Sequence, residues 1–217
     1  MGRQPKLLTK ANGVTEGTIV IVASVRVILL LISMKYVNEN PLTFIGLYTA
    51  SQLLDMVDGF VSRYFNEATL VGAAFDQLLD RMTSSYVCFL NAKQYPQYLE
   101  AFYAAMVIDV CGHWLHNYAC ALYSNTNHKD VKDANVVLRV YYQKKWLMFA
   151  SIVMYETFFC ALYLRPMYQM NIRIYYVLTS IMYAAAPLCA YKTLTNILQG
   201  MYGCSRIMKY DVEIAKN

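Results

Sequence analysis

Six stretches of this sequence reach the length of a membrane helix once some polar interruptions are allowed, and little chain is left over to build anything else. A bilayer core about 30 Å thick takes roughly 20 residues of helix. The stretches run approximately over 18–36, 42–64, 70–92, 98–123, 145–165 and 172–199. Apolar residues make up 58% of the 217 and charged ones only 15%, both outside the soluble norm, so the length rule applies to a membrane chain. Proline closes several of the gaps because it cannot continue a helix: Asn38-Glu39-Asn40-Pro41, Lys93-Gln94-Tyr95-Pro96 and Arg165-Pro166. The expected architecture is an all-α integral membrane fold of six transmembrane helices. It forms one domain over 1–217, with a polar segment 1–17 before the first span and a tail 200–217 after the last.

Basic residues fix the orientation. Arg3, Lys6 and Lys10, then Lys129, Lys132, Arg139, Lys144 and Lys145, then Arg206, Lys209 and Lys216 fall on one side of six alternating spans. Lys35, Lys93, Arg165 and Arg173 fall on the other. The positive-inside rule puts both termini, and the turn between the second and third spans, in the cytoplasm. This also accounts for the net charge of +5 without nucleic acid as a partner. Six cysteines without a C-x-x-C pair give neither a disulfide framework nor a thiolate zinc site. The first apolar run, with Arg26 inside it, reads as a retained span rather than a cleaved signal. Lys6 stands where a myristoylation motif needs Ser or Thr. Many of the 20 tyrosines lie near span ends, where amphipathic rings anchor the interface. The stretch Ser124 to Lys145 is expected to be a solvated cytoplasmic loop.

Against this background the second and third spans stand out. They read Asp55-x-x-Asp58-Gly59-x-x-Ser62-Arg63 and, eight residues later, Gly72-x-x-x-Asp76-x-x-x-Asp80. A carboxylate costs roughly 2.5–3.5 kcal/mol at the centre of a membrane helix. Residues three or four apart share a helix face, so each span presents two acids in one direction, and two antiparallel helices can converge all four. At about 4 Å each like-charge pair costs on the order of 4 kcal/mol at an effective dielectric of 20. Divalent cations relieve that repulsion, and all-oxygen ligands favour Mg2+ or Mn2+ over zinc. Gly59 and Gly72 allow close backbone approach, and Arg63, one turn beyond Gly59, can meet phosphate oxygens. Together these parts describe a pocket for a metal-bound pyrophosphate. The competing structural reading pairs the acids with Arg63 and Arg81 as a helix lock, but two arginines cannot neutralise four carboxylates.

This pattern resembles the signature of the CDP-alcohol phosphatidyltransferases, with Ser62 where that family usually has Ala. The first span departs further, having Val20 where the family often has Asn six residues before the Arg that matches Arg26. Within the family the resemblance is closest to the eukaryotic members whose acceptor is myo-inositol. It rests on Asp80-Arg81, Asp109-x-x-x-His113-Trp114-Leu115-His116, His128-Lys129, Val137-Leu138-Arg139-x-Tyr141-Tyr142 and Phe159-Cys160-Ala161-Leu162-Tyr163-Leu164.

The resemblance implies a membrane enzyme with a cytoplasmic-side cavity, two Mg2+ or Mn2+ ions, and CDP-diacylglycerol and inositol as substrates. It implies Asp55, Asp58, Asp76 and Asp80 as metal ligands, with Asp80 also the base. Gly59, Ser62, Arg63 and Gly72 would lie against the CDP-diacylglycerol. The endoplasmic reticulum is the implied location, and a homodimer is left open. Asp109, His113 and His116 fall on one face of the fourth span, either toward inositol or in an interhelical network, and Arg139 is a further candidate. Two other functions compete with this one. The first is the same fold with glycerol phosphate, serine, or diacylglycerol and CDP-choline as substrates. The second is a cation-coupled transporter.

Overall fold

The computed structural model describes the backbone of residues 15–64, 70–123 and 134–216, and the side chains of 23–55, 74–123 and 134–216. Seven α-helices account for nearly all of it: α1 Thr15–Lys35, α2 Pro41–Tyr64, α3 Leu70–Gln94, α4 Leu99–Leu122, α5 Val136–Gln143, α6 Lys145–Leu164 and α7 Ile172–Ile214. Short 3-10 turns at Pro96–Tyr98 and Arg165–Tyr168 sit where the sequence places its prolines. No strand occurs among the described residues.

Helix starts follow from local chemistry. Pro41 is the first residue of α2, where a missing amide costs nothing, and the Asn40 side chain accepts from the Thr43 amide at 3.2 Å. Asn135 caps α5 by accepting from Val137 N, and Asn171 caps α7 by accepting from Ile174 N. Lys35 and Lys93 stand in the last turns of α1 and α3, where a cation offsets the helix dipole.

Six of these helices follow the six apolar stretches. Among the described residues two segments, Lys145–Tyr168 and Ile172–Ile214, are by length and composition apolar enough to cross a membrane. Large apolar side chains stand outward on all six, among them Leu31, Leu53, Phe89, Tyr103, Trp146 and Tyr183. Helices that stay apolar on their outer face fit a lipid surround.

Two expectations change. The stretch expected to be a loop contains α5, whose Leu138, Tyr141 and Tyr142 are buried together with Ala134 against Met148, Tyr191, Leu198 and Tyr202. Eight residues are too few for a periodic signal to stand out in a polar segment. The last helix also continues past residue 199 to Ile214, without a break at Pro187.

The chain divides into two compact units, Met1–Thr83 and Ser84–Asn217. In the first, α1 packs on α2 with Ala23, Ser33, Phe44, Tyr48 and Ser51 buried. In the second, α7 packs along both α4 and α6. A Cβ on Gly112 would lie 2.3 Å from the carbonyl oxygen of Asn196, and one on Gly203 would lie 2.6 Å from the Leu115 backbone. The α4 and α7 backbones therefore touch where side chains are absent. In the same unit, the buried Asn91 amide donates to Val87 O and Phe159 O, tying α3 to α6.

Candidate active site

Asp55 on α2 and Asp76 and Asp80 on α3 converge: one carboxylate oxygen from each lies within 4.8 Å of the other two. The i, i+4 spacing of Asp76 and Asp80 puts both on one face of α3. The cation among them comes from α1. One guanidinium nitrogen of Arg26, Nη1, is 2.9 Å from Asp76 Oδ1 and the other, Nη2, is 2.9 Å from Asp80 Oδ1, both as hydrogen bonds. Nη1 also lies 2.5 Å from Asp55 Oδ1, close as an ion pair but not aligned as a hydrogen bond. Arg81 is a peripheral partner, its Nη2 3.8 Å from Asp80 Oδ2.

In the sequence the acids have Arg63 and Arg81 as their nearest cations, and Arg26 stands out only as a charge inside the first span. A lone Arg inside an apolar helix needs an anionic partner, and the nearest acids that also lie inside apolar spans are those of the next two helices. Arg26 is almost fully buried at 1% exposure, whereas the side chains of Asp55, Asp76 and Asp80 are 28%, 44% and 29% exposed. Three carboxylates against Arg26 and the more distant Arg81 still leave an excess of negative charge on an accessible, all-oxygen face. That donor set fits a hard divalent cation such as Mg2+ or Mn2+.

The other members of the motif carry no description at the side-chain level. Asp58, Gly59, Ser62 and Arg63 lie on the last turns of α2 and Gly72 on the first turn of α3, but their side-chain surroundings fall outside the described residues. His128 and Lys129 fall outside the described residues altogether.

In the second unit, Asp109, His113 and His116 share a face of α4, and each meets α7. The buried Asp109 accepts from Asn196 Nδ2 at 2.7 Å, and Asn196 Oδ1 in turn accepts from Lys192 Nζ. The ring of His113 bonds the Asp109 carbonyl at 2.8 Å through Nδ1 and lies 3.4 Å from Lys192 Nζ through Nε2. Lys192 Nζ also sits 5.6 Å from the centre of the Tyr141 ring. His116 packs between Tyr142 and Tyr202, and Gln199 Nε2 donates to the Tyr142 hydroxyl. Arg139, on α5 rather than in a loop, donates to the Ala134 carbonyl. Residue spacing marks the α4 face but not its partners Lys192 and Asn196, an i, i+4 pair within an apolar run.

Comparison with known proteins agrees with the motif. Residues 8–191 match the family model described as CDP-alcohol phosphatidyltransferase. A CDP-diacylglycerol–inositol 3-phosphatidyltransferase of Schizosaccharomyces pombe is 32% identical over 208 residues, covering 87% of this chain and 87% of that protein. The protein of that name from Drosophila melanogaster is 38% identical over 139 residues, covering 64% and 61%. The human one is 34% identical over 140 residues, covering 64% and 66%. No solved structure matches the chain. With a family match over most of its length and acids converging where that family's motif lies, the chain belongs to the CDP-alcohol phosphatidyltransferase family.

Proposed function

We propose that this chain transfers the phosphatidyl group of CDP-diacylglycerol to myo-inositol, giving phosphatidylinositol and CMP. The convergence of Asp55, Asp76 and Asp80 on one accessible face is the observation that carries the chemistry. The relatives bearing the inositol transferase name support the choice of acceptor.

In this reading Asp55, Asp58, Asp76 and Asp80 hold two Mg2+ or Mn2+ ions. When bound, the ions draw charge from the pyrophosphate oxygens and make CMP a better leaving group. Asp80 is the base. Its Oδ1 is held by Arg26, while Oδ2 stands 3.8 Å from Arg81, beyond hydrogen-bond reach, and keeps a lone pair for an inositol hydroxyl. That hydroxyl oxygen forms a bond to the phosphorus bearing the diacylglycerol, and its proton passes to Asp80. The bond from that phosphorus to the CMP phosphate breaks, and CMP departs with the electron pair. Arg63 pairs with the nucleotide phosphates, and Gly59, Ser62 and Gly72 give the nucleotide room to approach the backbone. Asp109, His113 and His116 already spend hydrogen bonds and ring contacts between α4 and α7, and they act as supports of that helix pair, with Arg139 bracing the start of α5.

The six long helices α1, α2, α3, α4, α6 and α7 cross the membrane as one domain, with α5 at the cytoplasmic surface and the acids opening to the cytoplasm. The endoplasmic reticulum is the membrane in question. The test is a head-group panel: purified protein, CDP-diacylglycerol, Mn2+ or Mg2+, and labelled inositol, serine or glycerol phosphate in parallel. Label should enter lipid from inositol alone. Incorporation of serine or glycerol phosphate instead would overturn the acceptor, and no CMP release with any of them would overturn the reaction class.

A further inference from the structure

We propose that Arg26 is a positioning residue for the metal centre, clamping one oxygen of each of Asp55, Asp76 and Asp80 so that the second oxygens are set in register for the incoming ions. The proposal rests on reading this cluster as a divalent-metal site.

Three observations carry it. The guanidinium reaches all three carboxylates through the same atom of each, Oδ1, with Nη1 between Asp55 and Asp76 and Nη2 on Asp80. Only a planar fork with separated nitrogens spans three acceptors in this way, because an ammonium presents a single point of charge. The exposure is also one-sided, with Arg26 buried at 1% beneath carboxylates that are 28% to 44% open. An ion arriving from the accessible side therefore meets oxygens that Arg26 has not taken. Finally, the backbone of Arg26 is itself fixed, since buried Ser51 Oγ donates to its carbonyl at 3.2 Å.

The opposite role would be a placeholder that swings out as metal enters. Burial weighs against it, because a guanidinium leaving its three counter-ions would keep its charge in surroundings that water does not reach. A clamp that stays also lowers the repulsion among the acids before any ion arrives, and it binds α1, α2 and α3 at one point.

The two roles predict opposite changes in metal affinity. The full-length protein, stripped of metal in detergent, is titrated with Mn2+ while free Mn2+ is followed by electron paramagnetic resonance. Wild type, Arg26→Gln and Arg26→Lys are compared, with thermal unfolding as the folding control. Loss of the clamp should weaken Mn2+ binding about 10- to 100-fold in Arg26→Gln, the range for groups that orient metal ligands. Arg26→Lys keeps the charge and loses the fork, so it should stay folded yet bind Mn2+ several-fold more weakly, with a broadened signal from the bound ion. Tighter or unchanged binding in Arg26→Gln would overturn the proposal, as would full recovery in Arg26→Lys. Should Arg26→Gln fail to fold, the lysine variant decides alone. Absence of Mn2+ binding by the wild type would remove the metal reading and this inference together, whereas equal binding by all three would remove the inference only.

Discussion

Replacing Gly203 by alanine tests whether α4 and α7 are held in backbone contact. The new Cβ would sit 2.6 Å from Leu115 C and O and 2.7 Å from His116 N. None of these is a flexible side-chain end that can turn away. Ordinary contact begins at 3.4 Å, so the two helices must part locally by about 0.8 Å. A gap of that size forfeits roughly a quarter to a half of the dispersion well along the seam. It also strains the Asn196 to Asp109 hydrogen bond two turns away, now 2.7 Å, which the full parting would lengthen to about 3.5 Å.

Overpacking of this kind costs about 1–3 kcal/mol. At about 2–4 °C per kcal/mol for a chain of this size, the unfolding midpoint should fall by about 2–12 °C. Differential scanning fluorimetry on the detergent-solubilised protein reads this directly. Gly112→Ala, which drives a Cβ to 2.3 Å from Asn196 O, should act in the same direction. The double variant should lose less than the two losses combined, because one separation relieves both clashes. Gly46→Ala is the control: nothing lies within 4 Å of its Cβ and Ala favours the helix, so the midpoint should hold or rise by up to about 4 °C rather than fall. A Gly203→Ala protein that unfolds at the wild-type temperature would refute the close approach.

Two further outcomes follow from the same geometry. Asp80→Asn should lower CMP release about 10²- to 10⁴-fold, the range for a lost general base, while Mn2+ binding to the remaining aspartates partly survives; unchanged turnover would remove Asp80 as the base. Asn91→Leu removes the amide that bonds Val87 O and Phe159 O within a fully buried site, and it should destabilise the protein by about 1–2 kcal/mol in thermal unfolding without changing Mn2+ affinity.

Helix existence was legible because it depends on the length of apolar runs, and α1 to α4, α6 and α7 begin or end within a few residues of the proline and asparagine signals. The helix α5 escaped because its burial depends on Tyr191 and Tyr202, far along the chain, and not on its own eight residues. The acids were legible as a cluster because i, i+4 spacing fixes a common face on one helix. Their counter-ion is marked only from the side of α1, where Arg26 is the one charge in the interior of an apolar run, because periodicity within α2 and α3 says nothing about which residue faces them. Lys192 and Asn196 were hidden for the same reason: each looks like a polar interruption until Asp109 and His113 are placed against it.

The most direct test of the account is CMP release from CDP-diacylglycerol by the purified protein, measured after chelation and again after restoring Mn2+, with and without inositol. The account predicts no release from the chelated protein, full recovery with Mn2+, and a strict requirement for inositol with one phosphatidylinositol formed per CMP. Undiminished release under chelation, or release indifferent to inositol, would contradict it.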